Sequence, residues 1–134
     1  MNIPTHLLQQ AAHFHGHLGP YLVLGLKMGI LARNLLDGTP FTMKAEVHTQ
    51  KKPPHSCIVD GIQFTSGCTL GKGNICIKED QKIYGVFTTG SETVTIIVNT
   101  HLLKTLQTIA REELEGTARA LFAKEDEELF EVVP

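Results

Sequence analysis

The stretch "HFHGHLGPYLVLGLKMGILARNLLDGTP", residues 13–40, decides how this chain folds. From Tyr21 to Leu36 it is apolar on every side, broken only by Lys27, Arg33 and Asn34. That is shorter than the roughly 20 residues a membrane span needs, so it predicts a helix buried in a protein core. Pro20 suits its first turn, and "DGTP" stops it, Gly38 accepting a left-handed conformation and Pro40 preventing continuation. Gly25 and Gly29, four apart, let another backbone come close to this helix. His13, His15 and His17 crowd the joint in front of it.

Before that joint, Pro4 starts a helix whose Leu7, Leu8, Ala11 and Ala12 keep helical spacing, ending near Phe14 or Gly16. After it, "FTMKAEVHT" (41–49) alternates apolar and polar as a half-buried strand does, and Lys51–Pro54 forms a stiff loop. Ser56 is a natural N-cap for a helix over "CIVDGIQFTS", closed by Gly67. "NICIKE" and "KIYGVFTTG" read as a hairpin over Asp80 and Gln81, and "TVTIIVN" as a further β-branched strand. Two helices follow, about His101–Leu114 and Thr117–Leu129, with the charge run "KEDEE" on a solvated face. The pattern predicts a single compact α+β domain over 1–134, an antiparallel or mixed sheet packed by helices at both chain ends.

Composition narrows the function. The 134 residues, 42% hydrophobic, suffice for one core, and the net charge of -2 offers no basic field for nucleic acid. No membrane span and no signal peptide are expected. Three cysteines, Cys57, Cys68 and Cys76, without CxxC spacing argue against a disulfide framework and for a reducing cytoplasm.

Three features could carry chemistry. Gly16 and Gly19 make a continuous helix costly, so His15 and His17 are expected on a turn where their nitrogens converge on a cation or substrate, whereas His13 reads as a helix-end dipole partner. Cys57 falls in the first turn of its helix, where the dipole favours a thiolate, making it a nucleophile or soft-metal ligand. Asp60, on the same side, is a proton acceptor, a partner to a ligand, or simply a first-turn carboxylate. His55 is a further candidate base or ligand; His6, His48 and His101 have no partner in sequence. Cys68 opens "CTLGKGN", a glycine-rich turn with Lys72 at its tip, but the phosphate-loop spacing is absent. A helix over 57–66, rising about 1.5 Å per residue, separates the Cys57 and Cys68 sulfurs by roughly 15 Å, too far for one chain to offer both to a single ion. Cys76 reads as a small strand residue.

"FHGHLGPYLVLGLKMG" followed by "CIVDGIQFTSGCTLGKGN" resembles the FmdE family, named for its association with formylmethanofuran dehydrogenase, and the likeness runs to the closing "EELFEVVP". The resemblance implies a compact, commonly dimeric α+β domain, a transition metal such as zinc in a cleft formed by the two motifs, and association with molybdenum or tungsten enzymes of one-carbon metabolism. It carries over to His15, His17, Cys57, Asp60, Cys68 and Lys72. The cysteine usual after the histidine motif is Gly19 here, and the glycine usual after the proline is Tyr21.

Together these readings predict a small metal-binding domain, an enzyme or accessory subunit, with His15, His17 and Cys57 as ligands and Asp60 orienting a ligand or moving protons. Cys68 and Lys72 would line the mouth, the ammonium holding a small anionic substrate. Two other readings stand beside it. One is a metal-independent enzyme with Cys57 as nucleophile, and the other a non-catalytic ligand-sensing or assembly subunit.

Overall fold

The computed structural model describes residues 6–134; the expected start at Pro4 lies outside them. Helix α1 (Leu7–His15) ends at Gly16, whose φ of 116° is left-handed and whose N–H donates to the Ala12 carbonyl. After three intervening residues α2 (Pro20–Leu35) begins, with proline in its first turn as expected. Eleven α2 residues are buried, among them Leu22 through Gly29 without interruption, which is the environment a helix apolar all round requires. It packs along α3 (Cys57–Ser66) and against α5 (Leu114–Ala123).

The α2–α3 contact is backbone on backbone. A Cβ on Gly25 would lie 2.1 Å from the Ile58 carbonyl oxygen, and one on Gly61 2.2 Å from that of Leu22. The Thr65 hydroxyl, near the far end of α3, donates to the Leu26 carbonyl at 2.8 Å.

Five strands form one open mixed sheet in the order β2-β1-β3-β4-β5: β1 (Met43–Thr49), β2 (Ile75–Glu79), β3 (Tyr84–Thr89), β4 (Glu92–Val98) and β5 (Phe130–Val133). Met43, Ala45, Val47 and Thr49 of β1 are buried, the expected alternation, while Phe41 lies outside the strand and is 83% exposed.

The expected hairpin over Asp80 and Gln81 does not form. β1 lies between the two segments, parallel to β2 (Val47 beside Ile77) and antiparallel to β3 (Val47 beside Gly85). Returning from α3, the chain reaches the far side of β1, as a helical crossover between parallel strands does. The tight hairpin is β3–β4, pairing Thr89 with Glu92 across Gly90, whose φ is 55°. Such turns need a positive φ, and Asp80-Gln81 offers no glycine.

The C-terminal third also departs from two plain helices. Helix α4 (Thr100–Leu106), capped by the Asn99 side chain, stops early. The Thr108 hydroxyl donates to the Thr105 carbonyl and the Thr105 hydroxyl to that of His101, side-chain bonds that compete with continued helix. A 3-10 turn over Arg111–Glu113 leads into α5, which ends at Lys124. There the buried Lys27 ammonium of α2 donates to the Phe122 and Lys124 carbonyls. A reciprocal cap between Glu125 and Glu128 starts the single-turn α6 (Asp126–Leu129), so part of the charge run caps a helix, and β5 then completes the sheet.

Gly61→Ala is expected to lower unfolding stability by about 2–3 kcal/mol, since the added methyl meets backbone that cannot turn aside. Urea denaturation checks this; a loss under about 1 kcal/mol, the ordinary range of a helical glycine-to-alanine change, would mean the helices are not in contact there.

Candidate functional site

The two sequence motifs meet where α3 starts beside the α1–α2 joint. His15 closes α1 and is therefore helical rather than on the turn itself, and His17 sits in the joint; their ring centroids are 5.2 Å apart. Asp60, one turn into α3, reaches across so that His15 Nδ1–H donates to its Oδ2 at 2.6 Å. The His15 side chain is nearly buried and that of Asp60 half-exposed. Such a bond leaves Nε2 as the nitrogen free to face a ligand, the arrangement by which carboxylates orient metal-binding or basic imidazoles.

His15, His17, His55 and Cys57 share a mostly apolar cavity of about 510 Å³. Its other walls come from the start of α2, from Pro53 and Pro54, and from the segment Leu106–Leu114. No side chain caps the N-terminus of α2, which opens onto this space at Gly19 and Pro20. A Cβ at position 19 would stand 2.8 Å from Cε1 of His17, so the His17 ring occupies the space that a side chain there would take.

Cys57 does not behave as its helix position suggested. Burial, and then the charge of Asp60, push its thiol above the ordinary range, although it opens the first turn of α3, where Ser56 makes no side-chain cap. His55 lies tilted against Tyr21 with ring centroids 5.0 Å apart, and its Nδ1 is buried without a partner among the described residues. Burial and the nearby Lys52 charge lower its pKa, so the ring is neutral near pH 7. Burial raises the Tyr21 phenol.

Cys68 and Lys72 do not line the cavity. Cys68 follows the opposite end of α3, fully buried, its Sγ donating to the Met43 carbonyl at 3.4 Å and its N–H to Ser66 Oγ at 3.0 Å. Burial raises this thiol as well. Lys72 donates to Thr69 Oγ1 at 2.9 Å and lies over the Phe41 ring. The ten-residue helix between the cysteines keeps the two ends of the second motif apart. Cys76 is exposed on the edge strand β2. His48, unpartnered in sequence, lies between Glu46 at 2.7 Å and Asp80 at 3.5 Å and stacks on Tyr84. Among the described residues, no three His, Cys, Asp or Glu side chains stand close enough to hold a metal ion as they are placed.

Sequence reading missed the wall that carries Leu106, Gln107, Ile109 and Arg111. No glycine or proline marks the end of α4, and nothing local joins these residues to motifs about fifty and about ninety positions earlier.

A family model described as "FmdE, Molybdenum formylmethanofuran dehydrogenase operon" matches residues 14–131, taking in both motifs. The chain belongs to the FmdE family. A curated relative from Archaeoglobus fulgidus, named "Probable S-adenosyl-L-methionine-binding protein", is 34% identical to this FmdE domain over 73 residues, 53% of this chain and 20% of the relative. The chain therefore spans about a fifth of that relative's length.

With chelator present, Asp60→Asn should speed alkylation of Cys57 severalfold at pH 8. The variant keeps an acceptor for the His15 N–H and leaves the thiol as buried as before, but removes the carboxylate charge that adds to burial in raising it. An unchanged rate, followed by mass spectrometry of the Cys57 peptide, would show that Asp60 has no hold on the thiol.

Proposed function

We propose that this FmdE domain is an accessory, metal-binding unit of molybdenum- or tungsten-linked one-carbon metabolism, with His15, His17 and Cys57 holding a divalent ion. The observation that carries the reading is the His15–Asp60 hydrogen bond at a cavity that His17 and Cys57 also line. Two imidazoles and a thiol suit zinc, and three protein ligands leave a fourth position open. The donor chemistry thus fits the ion; closing the set requires the three side chains to come closer than they stand among the described residues. Asp60 fixes the His15 tautomer and holds the ring in place. The ion would act as a Lewis acid at that open position. The domain works in the cytoplasm as a homodimer alongside dehydrogenase subunits.

A bound divalent ion would itself draw the proton from the Cys57 thiol, which burial and Asp60 otherwise raise, whereas a metal-free nucleophile would have to ionise without that help. A role in S-adenosyl-L-methionine binding gains no support from the cavity. Its lining contains no aspartate or glutamate to face a sulfonium or an ammonium.

Elemental analysis of protein purified without chelator should find close to one transition-metal ion per chain, with His17→Ala and Cys57→Ala each abolishing it. Less than a tenth of an ion in the unaltered protein, with rapid Cys57 alkylation at neutral pH, would overturn the metal reading in favour of the nucleophile.

A further inference from the structure

The cavity extends well beyond the histidines, and its far wall points to a ligand class. We propose that it binds an organic monoanion with an apolar body, in its simplest form a medium-chain carboxylate, whose charged end pairs with Arg111. The volume of about 510 Å³ lies within the range of small-molecule sites, roughly 300–1,000 Å³, where apolar walls bury the body and a few polar groups orient it. Tyr21, Leu22, Leu106, Ile109 and Leu114 provide that apolar surface.

The charge pattern selects the sign. Among the described residues Arg111 is the one permanently charged residue in the lining, and no carboxylate shares it; Glu112 and Glu113, next in the chain, stay outside. The other two arginines are engaged, Arg33 with the Ser66 carbonyl and Arg119 with Glu115. Among the described residues Arg111 has no hydrogen-bonding or ionic partner for its side chain. A guanidinium presents a planar fork that matches a carboxylate in two parallel bonds. Gln107, on the same wall, adds a side-chain amide. One cation without a phosphate-cradling loop favours a single negative charge over a polyphosphate. The lysine at the tip of the glycine-rich turn, Lys72, is not part of this wall. The site rests on the cavity and on Arg111, and so stands apart from the proposed ion.

Isothermal titration calorimetry on the full chain tests it, with octanoate, 1-octanol, octylamine and acetate as probes, before and after treatment with EDTA. Octanoate should bind once per chain, about tenfold or more tighter than 1-octanol or octylamine, the difference expected of a hydrogen-bonded charge. Acetate, without an apolar body, should bind far more weakly. Arg111→Met, which keeps the apolar stem, should bring octanoate down to the level of 1-octanol, and Arg111→Lys should restore part of the loss. Circular dichroism on each variant verifies that it is folded. Equal affinity for octanoate and 1-octanol, an unchanged Arg111→Met, or no octanoate binding by folded protein would overturn the proposal. Binding lost on chelation would also overturn it, by placing the carboxylate on the ion. Binding retained in protein that elemental analysis finds metal-free would uphold this site while the metal reading fails.

Discussion

The close approach of α2 and α3 governs the rest of the structure. Gly25, Gly29 and Gly61 have no side chain, and each stands where a Cβ would be driven into the other helix, as close as 2.0 Å at Gly29. Contact this tight fixes the two helices in register along their length as well as in distance. The register sets Leu22 against Gly61 and Gly25 against Ile58, so the start of α3 arrives at the start of α2. His15 and His17 come immediately before α2, and Cys57 and Asp60 begin α3. The meeting of the two motifs is thus a consequence of helix packing, reinforced by one hydrogen bond between His15 and Asp60.

The same packing explains how differently the two cysteines of the second motif are used. Cys57 opens α3 on the cavity side, whereas Cys68 follows its last turn and falls into the core beside β1. Residues that read as one contiguous constellation in the chain belong to opposite ends of a rigid rod. Gly19 has a comparable geometric meaning. The family resemblance places a cysteine there, but in this chain the His17 ring fills the space such a side chain would enter. Residues 17 and 19 compete for one volume, and the glycine leaves it to the imidazole.

Where a local pattern carried its own physical cause, the sequence was a sound guide. The all-round apolar run became the central buried helix, the 41–49 alternation placed β1 within two residues, and Gly16 and Gly67 ended their helices in left-handed conformations. It failed where the deciding contact was distant. Nothing within 74–90 says that β1 will separate its two strands, because that depends on the crossover through α3. Within 101–114 the cause is local but faint: no glycine or proline marks the end of α4, and the Thr105 and Thr108 hydroxyls that bond back to the chain there are masked by helical spacing. The four-residue β5 is an edge strand held by β4, too short to announce itself in the chain. The cavity was illegible in part for the same reason, since a third of its lining comes from that C-terminal region.

Lys27 adds a thermodynamic consequence. Its ammonium is buried in α2 and relies on carbonyls at the end of α5, with Asp126 near enough to feel its charge. Were α5 to peel away while α2 stayed docked, that ammonium would lose both carbonyl acceptors and would have to be taken up by water instead. Partial opening of the C-terminal region therefore costs about 1.5–3 kcal/mol for each charge-assisted bond given up. A lone basic residue in an otherwise greasy helix thus favours opening of the chain's last third and its second helix together.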